Sequence, residues 1–359
     1  MIRNIIFDMG NVLVNYEPRE YIGQFADDQD IEILYNIIFN SIEWLQLDRG
    51  SIGEEDAKSI FYSKLPRRLH PAIDEILENW HENLHEKNEM FYLVKQLKSC
   101  GYNIYLLSNT SKRFYHYSKK IPALKYFDGT IISADELLLK PDLAIYKRLL
   151  DKYDLKPEQC FFIDDHVPNV EAAVFLGMRG FVYKNNIKNL RYELAKEKLL
   201  NKDLQAVILD VDSVLISKKD SIAREACCFN TLEDNIFTVK DLFLQLENNG
   251  ILKAAVSLNK SIFSILGKAD LLSLADIVID ANQMTYSKSK PEIFKMAADK
   301  LGVSNESCVL IQGADRKITT EKQMDIKSIN LSEILGRFAD GNFCFTKLNI
   351  DILKGSILK

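Results

Sequence analysis

The stretch Asn4-Ile5-Ile6-Phe7-Asp8-Met9-Gly10-Asn11-Val12-Leu13 carries an apolar run directly into an aspartate, and residues 206–215 repeat this arrangement around Asp210. Three further motifs follow each aspartate in the same order. They are Ser108, Lys140-Pro141 and Asp164-Asp165 in the first half, and Ser257, Lys288 and Gln312-Gly313 in the second. In both copies, 25 residues separate the lysine from the last position of the final motif. An internal repeat of this length predicts two tandem domains.

The two copies differ in the segment between the first aspartate and the serine. It spans 100 residues from Asp8 to Ser108, but only 47 from Asp210 to Ser257. We therefore predict a first domain at 1–200 that carries an insertion at about 15–85, and a second domain at 203–359 without one. Apolar residues three and four apart predict that the insertion is a helical bundle, which would cap the sheet edge. The predicted helices are Arg19–Phe25, Asp30–Phe39, Ile42–Leu47, Glu54–Tyr62 and Ile73–Trp80.

Short apolar runs rich in β-formers alternate with longer amphipathic stretches in both halves. The predicted strands are Ile2–Phe7, Asn103–Leu107, Gly129–Ile132, Cys160–Ile163 and Gly180–Tyr183, then Gln205–Leu209, Lys253–Val256, Ile277–Ile279, Cys308–Ile311 and Ser328–Leu331. This alternation predicts an α/β fold of two tandem Rossmann-like domains, each built on a parallel sheet. Every motif then follows the carboxyl end of a strand, where ligands bind in open α/β sheets.

The composition is that of a globular protein. Of 359 residues, 47% are hydrophobic and 27% charged, and the net charge is −5. The chain lacks the basic surface expected for nucleic-acid binding, and no apolar run is long enough to span a membrane. Because Met1 leads almost directly into the first predicted strand, we expect no signal peptide and a cytoplasmic location. The six cysteines show no C-x-x-C spacing and are expected to be reduced core residues.

The aspartates of the first copy point to metal-assisted chemistry. A carboxylate such as Asp8 at the end of a buried strand is costly unless it binds a cation or reacts. Asp164 and Asp165 end another strand of the same predicted sheet, and three converging carboxylates with oxygen ligands favour Mg²⁺. Ser108 and the amides beside it can donate to an anion, and Lys140 adds positive charge. These groups suit phosphoryl transfer through an aspartyl-phosphate.

These four ordered motifs resemble those of the haloacid dehalogenase superfamily, most of whose members are magnesium-dependent phosphatases. The resemblance implies that Asp8 is the nucleophile and a metal ligand, with Ser108 and Lys140 as the other catalytic groups. It further implies that Gly10 offers a backbone carbonyl to the metal, and that Asp165 is its main acidic ligand, supported by Asp164. Ser108 and Lys140 would bind the phosphoryl group, and Asn11 and Asn109 are further candidate substrate-binding residues.

The first copy departs from the family pattern at Gly10. The family usually has a second aspartate there, which protonates the leaving group, and glycine cannot act as an acid. The form around Asp8 nevertheless resembles a branch that acts on sugar 1-phosphates. General acid catalysis is typically worth about 10²–10⁴-fold, and its loss is least harmful when the leaving oxygen is intrinsically good. We therefore expect a small phosphorylated metabolite, such as a sugar phosphate, as substrate.

The second copy resembles a degenerate beta-phosphoglucomutase-like domain. Asp210, Asp212, Ser257 and Lys288 are present, but Gln312 and Gly313 replace the acidic pair. Without that pair a Mg²⁺ site lacks protein ligands, unless Asp315 substitutes, so we predict a non-catalytic domain. The linker at 185–203 is charged, helix-prone and free of proline and glycine, which favours a second domain docked on the first.

Other patterns have ordinary interpretations. His81-Glu82-Asn83-Leu84-His85 matches a zinc-protease pattern, but a solvated face is the better interpretation. His166 is expected at the rim of the site, and Trp44 and Trp80 are expected to pack helices. Besides a magnesium-dependent phosphatase, a phosphosugar mutase and a non-catalytic binding or regulatory protein remain open. A mutase needs an acid/base to return the phosphoryl group, and Gly10 disfavours it.

Overall fold

A computed structural model describes residues 1–200, 204–215, 232–258, 262–268, 270–280, 290–313, 325–331, 336–337 and 343–344. The chain divides into two compact units. The first unit comprises Met1–Val94 and Tyr102–Asn186, and the second comprises Lys95–Gly101 and Ile187–Lys359. Among the described residues, no helix is both long and apolar enough to cross a membrane. The domain boundaries drawn from the sequence and the docking of the second domain stay predictions.

The first unit is built on a five-stranded parallel sheet. Its strands are β1 Asn4–Phe7, β2 Val14–Asn15, β3 His85–Glu86, β4 Asn103–Ser108, β5 Gly129–Ile132, β6 Cys160–Asp164 and β7 Arg179–Val182. The sheet order is β5-β4-β1-β6-β7, and β2 pairs separately with β3 in antiparallel fashion. Strands β1 and β6 are buried along their whole length. This burial explains their unbroken apolar sequences, because helices cover both faces of a parallel sheet.

Helices connect the strands and supply the core. Those of the first unit are α1 Pro18–Ile22, α2 Asp28–Ile37, α3 Ile42–Arg49, α4 Glu54–Lys64, α5 His70–Asn79, α6 Asn88–Ser99, α7 Phe114–Tyr117, α8 Ser133–Glu136, α9 Leu143–Lys152 and α10 Val167–Phe175. The last five residues of α6 fall in the second unit. Helix α9 buries Ile145, Tyr146 and Leu149, which lie on one face. They pack with Phe162 of β6 in one core cluster.

Helices α1 to α5 form the predicted insertion and lie between β2 and β3. The insertion contacts the loops at the carboxyl edge of the sheet. Gly50, which ends α3 with a φ of +76°, is so close to α8 that a Cβ atom there would lie 2.2 Å from the carbonyl oxygen of Ala134. The buried hydroxyl of Ser133 also hydrogen-bonds the backbone carbonyl of Asp48. These contacts fix the end of α3 at the edge where the catalytic motifs lie.

The second unit repeats the architecture of the first. Its strands are β8 Ala206–Asp210, β9 Leu252–Val256, β10 Ile277–Ile279, β11 Cys308–Gln312, β12 Lys327–Asn330, β13 Gly336–Arg337 and β14 Phe343–Cys344. Its helices are α11 Ile187–Lys196, α12 Val211–Val214, α13 Leu232–Asn248, α14 Ile262–Lys268 and α15 Lys290–Lys300. The parallel order β10-β9-β8-β11-β12 matches the first sheet strand for strand. The predicted α/β class with two parallel sheets is therefore confirmed.

One part of the cysteine prediction was wrong. Cys160 and Cys308 are free and buried, as expected, but Cys100 is exposed. It lies just past the end of α6, next to Gly101 in a surface turn. The apolar residues upstream belong to the helix, and the cysteine does not share their burial. The side chains of Cys227, Cys228 and Cys344 lie outside the described residues.

We predict that Gly50→Ala weakens the first unit more than Gly177→Ala does. Both glycines have positive φ, so each alanine carries left-handed strain of about 1–2 kcal/mol. At Gly177 the nearest atom to a new Cβ is Pro157 Cβ at 3.7 Å, an ordinary contact, whereas at Gly50 the backbone of Ala134 must move. Both tryptophans of the chain lie in the insertion, so fluorescence-monitored urea unfolding reports on this region. Equal shifts of the two midpoints would contradict the packing of Gly50.

Candidate active site

The centre of the candidate site is set by two neighbouring strands that end together. Phe7 of β1 pairs with Ile163 of β6, so the next residues, Asp8 and Asp164, lie side by side. The amide of Asp8 donates to the carbonyl of Ile163 at 2.9 Å, which continues the ladder to this point. Both aspartates are buried, and Asp164 is fully so. The apolar strands thus carry two carboxylates to one edge of the sheet.

Lys140 lies between these carboxylates. Its Nζ is 2.6 Å from Asp8 Oδ1 and 2.6 Å from Asp164 Oδ2, and the lysine is buried. The side chain of Asn109 holds the backbone of Lys140 from both sides. It accepts from the amide at 2.8 Å and donates to the carbonyl at 3.0 Å. The Lys140-Pro141 peptide bond is cis. The loops after β4 and β5 therefore aim one ammonium group at two aspartates.

The start of α10 orients Asp164. Asp164 Oδ1 accepts hydrogen bonds from the amide of His166 at 2.8 Å and from Asn169 Nδ2 at 3.0 Å. Asn169 Nδ2 also lies 3.1 Å from Asp164 Oδ2. Together with Lys140 these donors hold both oxygens of the carboxylate. Asp164 is thus better placed to position its neighbours than to change partners during a reaction.

The loop after β1 holds Asp165. Asn11, with a φ of 55°, donates from Nδ2 to Asp165 Oδ2 at 3.3 Å and accepts from the amide of Tyr16 at 3.2 Å. The ammonium of Lys87 donates to the carbonyl of Asn11 at 2.6 Å and to Asn185 Oδ1 at 2.8 Å. Lys87 is buried although it carries a charge. It ties the return of the insertion to the loop after β1.

In the described part of the chain, the site contains three carboxylates but only one ammonium group between them, that of Lys140. One oxygen from each of Asp8, Asp164 and Asp165 lies within 4.8 Å of the others. Burial, together with the charges of Asp164 and Asp165, raises the pKa of Asp8 to about 7 despite Lys140. Burial and the charge of Asp164 also raise the pKa of Asp165. Burial alone would lower the pKa of Lys140, but Asp8 and Asp164 raise it. The site therefore has electrostatic room for a cation.

Comparison with known proteins places this arrangement in a family. The profile of the haloacid dehalogenase-like hydrolases matches residues 2–177. The sesquiterpene phosphatase astK of Aspergillus oryzae is 31% identical over 179 residues, which cover 49% of this chain and 86% of the relative. The chain belongs to the haloacid dehalogenase-like hydrolases. It is a phosphatase-type hydrolase of that family, as the sequence predicts.

Other members of the family match the same share of the chain. The D-ribitol-5-phosphate phosphatase of Bacteroides thetaiotaomicron is 23% identical over 196 residues, covering 52% of this chain and 93% of the relative. A solved haloacid dehalogenase family enzyme from the same organism, in complex with magnesium and inorganic phosphate, is 24% identical. The match covers 52% of this chain and 96% of the chain in that structure, with a TM-score of 0.42.

The structure brings most of the predicted site residues of this hydrolase together. Lys140 bonds Asp8 and Asp164, and Asn11 bonds Asp165. One oxygen of each of the three aspartates lies within 4.8 Å of the others. Ser108 ends β4 next to β1, where the sequence predicts it. The side chain of Asn109, a predicted substrate ligand, is engaged with Lys140. The catalytic and binding roles of these residues stay predictions.

Sequence analysis missed Lys87 and Asn169, which secure the two loops of the site. Asn169 follows the acidic pair by four residues. A helix that begins directly after the motif brings a residue at this spacing back toward the pair. Lys87 lies at the return from the insertion and gives no recognisable sequence signal.

The solvated face expected at residues 81–85 was wrong for His81, whose ring is buried against Trp80 and Tyr117. The other ordinary interpretations agree with the geometry. His166 is exposed, and its backbone contacts Asp164. His81 is buried in a 3₁₀ turn at Trp80–Asn83, while His85 is exposed on β3, so the zinc-protease pattern does not share one helix. Trp44 and Trp80 are buried and pack against each other, with ring centroids 5.5 Å apart.

In the second unit, the groups at the corresponding sheet edge hydrogen-bond one another. Asp212 stands where the first copy has Gly10, and its carboxylate accepts from the Ser257 hydroxyl and, at 2.8 Å, from the Leu258 amide. These groups correspond to Ser108 and the following amide. A Cβ on Gly313 would lie only 2.0 Å from the carbonyl oxygen of Ser213, so an aspartate cannot be accommodated there without rearrangement. Lys288 and Asp315 lie outside the described residues.

We predict that Asp8→Asn stabilises the metal-free protein, and more so at pH 8 than at pH 5. In wild type the folded pKa of about 7 lies above the ordinary value of 3.8, so stability falls as pH rises between them. Asparagine removes this penalty and leaves Lys140 paired with Asp164. Thermal unfolding in excess chelator should show a gain of a few degrees that grows with pH. Glu55→Gln, on the exposed side of α4, is the control. A variant that loses stability at pH 8 would contradict this electrostatic account.

Proposed function

We propose that the first unit hydrolyses a small phosphorylated metabolite in a magnesium-dependent reaction, with the phosphoryl group carried transiently on Asp8. The observation that supports this most directly is the placement of Asp8. It ends the central strand with one carboxylate oxygen held by Lys140, in a group of three carboxylates. A buried carboxylate oriented in this way suits nucleophilic attack on phosphorus.

The residues present fit Mg²⁺. Asp8 and Asp165, with the carbonyl of Gly10, would hold the ion, and Asp164 would position them. The donors are carboxylate and carbonyl oxygens, which magnesium prefers, and the single ammonium of Lys140 leaves negative charge uncompensated. When bound, the ion would neutralise charge on the phosphoryl group and on its nucleophile.

The remaining groups bind and orient the phosphoryl group. Ser108 ends β4, and Lys140 lies in the segment after β5. Both therefore lie beside Asp8, on the β4 side of β1. Lys140 counters the charge that the phosphoryl oxygens bring, and it keeps the attacking carboxylate in place. Asn109 acts on substrate through Lys140, because its side chain fixes the lysine backbone. Fixed polar groups of this kind require little reorganisation during the reaction.

A phosphate ester of an apolar alcohol is a second candidate substrate beside sugar phosphates. Aromatic rings run from the nucleophile loop into the insertion. Tyr16 lies 6.0 Å from Trp80, which lies 5.5 Å from Trp44 and 5.8 Å from Tyr117, measured between ring centroids. The relative from Aspergillus oryzae is a sesquiterpene phosphatase, and that from Bacteroides thetaiotaomicron acts on a polyol phosphate. A panel with a sugar 1-phosphate, a polyol phosphate and a prenyl phosphate discriminates these classes.

We predict that Asp8→Asn abolishes turnover of every substrate in this panel, and that chelation abolishes it in wild type. Asp210→Asn serves as the matched control, because Asp210 ends β8 as Asp8 follows β1. Its unit has Gln312 and Gly313 in place of the acidic pair, so turnover should be unchanged.

Two results would contradict this proposal. Appreciable hydrolysis by Asp8→Asn, with its fold intact, would exclude Asp8 as nucleophile. Residual magnesium-dependent activity that vanishes only when Asp210 is also changed would assign the chemistry to the second unit.

A further inference from the structure

The loop after the central strand offers no proton donor to a leaving group. Gly10 has no side chain, although its position would accept one. A Cβ atom there would meet only Tyr16 Cβ at 4.0 Å, and φ is not left-handed. Neither packing nor backbone conformation therefore requires glycine. A side chain that protonates a poor leaving group would thus have to belong to another element of the chain.

The end of α3 brings Asp48 of the insertion to the loop after β4. The Ser133 hydroxyl bonds the carbonyl of Asp48, accepts from the amide of Thr110 at 2.8 Å and lies 3.1 Å from the carbonyl of Thr110. The close approach of Gly50 to Ala134 fixes the following turn. Asp48 is thus held against the loop that begins with Ser108, and not on a free surface of the insertion.

The carboxyl group of Asp48 lies near the loop after β4 and near two tyrosine hydroxyls. Against the larger effect of burial, the backbone amide of Ser111, which lies in that loop, lowers the pKa of this carboxyl group. Together with burial, the charge of Asp48 raises the pKa of the Tyr16 and Tyr117 hydroxyls, and the charge of Asp8 also raises that of Tyr117. Tyr16 is the residue that a side chain at Gly10 would touch. Asp48 therefore approaches, from the insertion, the space that an acid at Gly10 would fill from the strand.

Among the described residues, no cation pairs with Asp48, and Arg49 beside it is exposed. The charged groups on the elements that pack against it have other partners: Arg113 with Glu54, Asp135 with Tyr115, and Glu136 with Arg148. Burial consequently raises the pKa of Asp48 well above its usual range. A raised pKa favours the protonated form that a general acid needs.

We propose that Asp48 is the general acid of the reaction and protonates the leaving-group oxygen, the role that Gly10 cannot perform. This inference rests on the proposed function. A carboxylate oxygen of Asp8 bonds to phosphorus while the bond from phosphorus to the leaving oxygen breaks. That oxygen takes the proton of Asp48 and departs as an alcohol. The Asp48 carboxylate then accepts a proton from the water that attacks phosphorus, which releases inorganic phosphate and restores both carboxyl groups.

His166 is a weaker candidate for this role. Its ring is exposed, and its fixed contact is the backbone bond to Asp164 on the far side of Asp8 from β4. Lys87 is buried, and two of its three ammonium protons are donated to the carbonyl of Asn11 and the side chain of Asn185. Asp48 alone among these combines desolvation with a position beside the aromatic rings that adjoin Gly10.

The test compares leaving groups that differ in acidity. Wild type and Asp48→Asn are assayed with 4-nitrophenyl phosphate, whose leaving group needs no acid, and with benzyl phosphate, whose alkoxide does. We expect Asp48→Asn to lower kcat/KM for benzyl phosphate by about 10²–10³-fold, but for 4-nitrophenyl phosphate by less than about 10-fold. The loss of benzyl phosphate activity toward high pH in wild type should disappear in the variant. Asp48→Glu, which keeps the acid, should recover part of the rate, and Glu55→Gln should match wild type.

Equal losses on both substrates by folded Asp48→Asn, or no loss on benzyl phosphate, would overturn the assignment of Asp48. Circular dichroism and thermal unfolding establish that the variant is folded, and Asp48→Glu supplies a second, less disruptive change. The proposed function fails separately. It fails if wild type hydrolyses neither ester, or if Asp8→Asn hydrolyses either, whereas the effect of Asp48 is read from the ratio of the two substrates.

Discussion

The ammonium of Lys140, buried between Asp8 and Asp164, is the interaction on which the site depends. Two like charges at the ends of adjacent strands repel each other, and burial strengthens that repulsion. One lysine offsets part of it, and Asn109, Asn169 and the start of α10 hold the three groups in fixed orientation. Removing the lysine would leave uncompensated negative charge in the interior. The remaining negative charge favours a divalent cation and disfavours an empty site.

Comparison of the two sheets distinguishes the features that form the fold from the residues that catalysis requires. Both units order their strands identically, and each ends its central strand with an aspartate. In the second unit, however, Asp212 bonds the donors that would receive a phosphoryl group. The close approach of Gly313 to Ser213 also leaves no room for a second acid. We propose that local packing prevents catalysis in the second unit, while the apolar core that defines the fold is retained.

The sequence predicts those features that follow from local pattern. All five strands of each sheet are found close to their predicted bounds, because buried apolar runs bordered by polar residues are easy to read. The position of Asp8 beside Asp164 follows from strand order alone. By contrast, the bonds of Asn109 to Lys140 and of Lys87 to Asn11 depend on loop conformations that no periodicity encodes. Asp48 was missed for the same reason, since only tertiary contacts bring the end of α3 to the β4 loop.

The central claim is that Asp8 carries the phosphoryl group during turnover. It is tested most directly by acid-quenching the protein during hydrolysis of a good substrate with Mg²⁺ and locating any phosphoryl adduct by peptide mass spectrometry. The account predicts an adduct on Asp8 that is absent in Asp8→Asn and in excess chelator. An adduct on Asp210, or steady turnover in which rapid quenching traps none on Asp8, would contradict it.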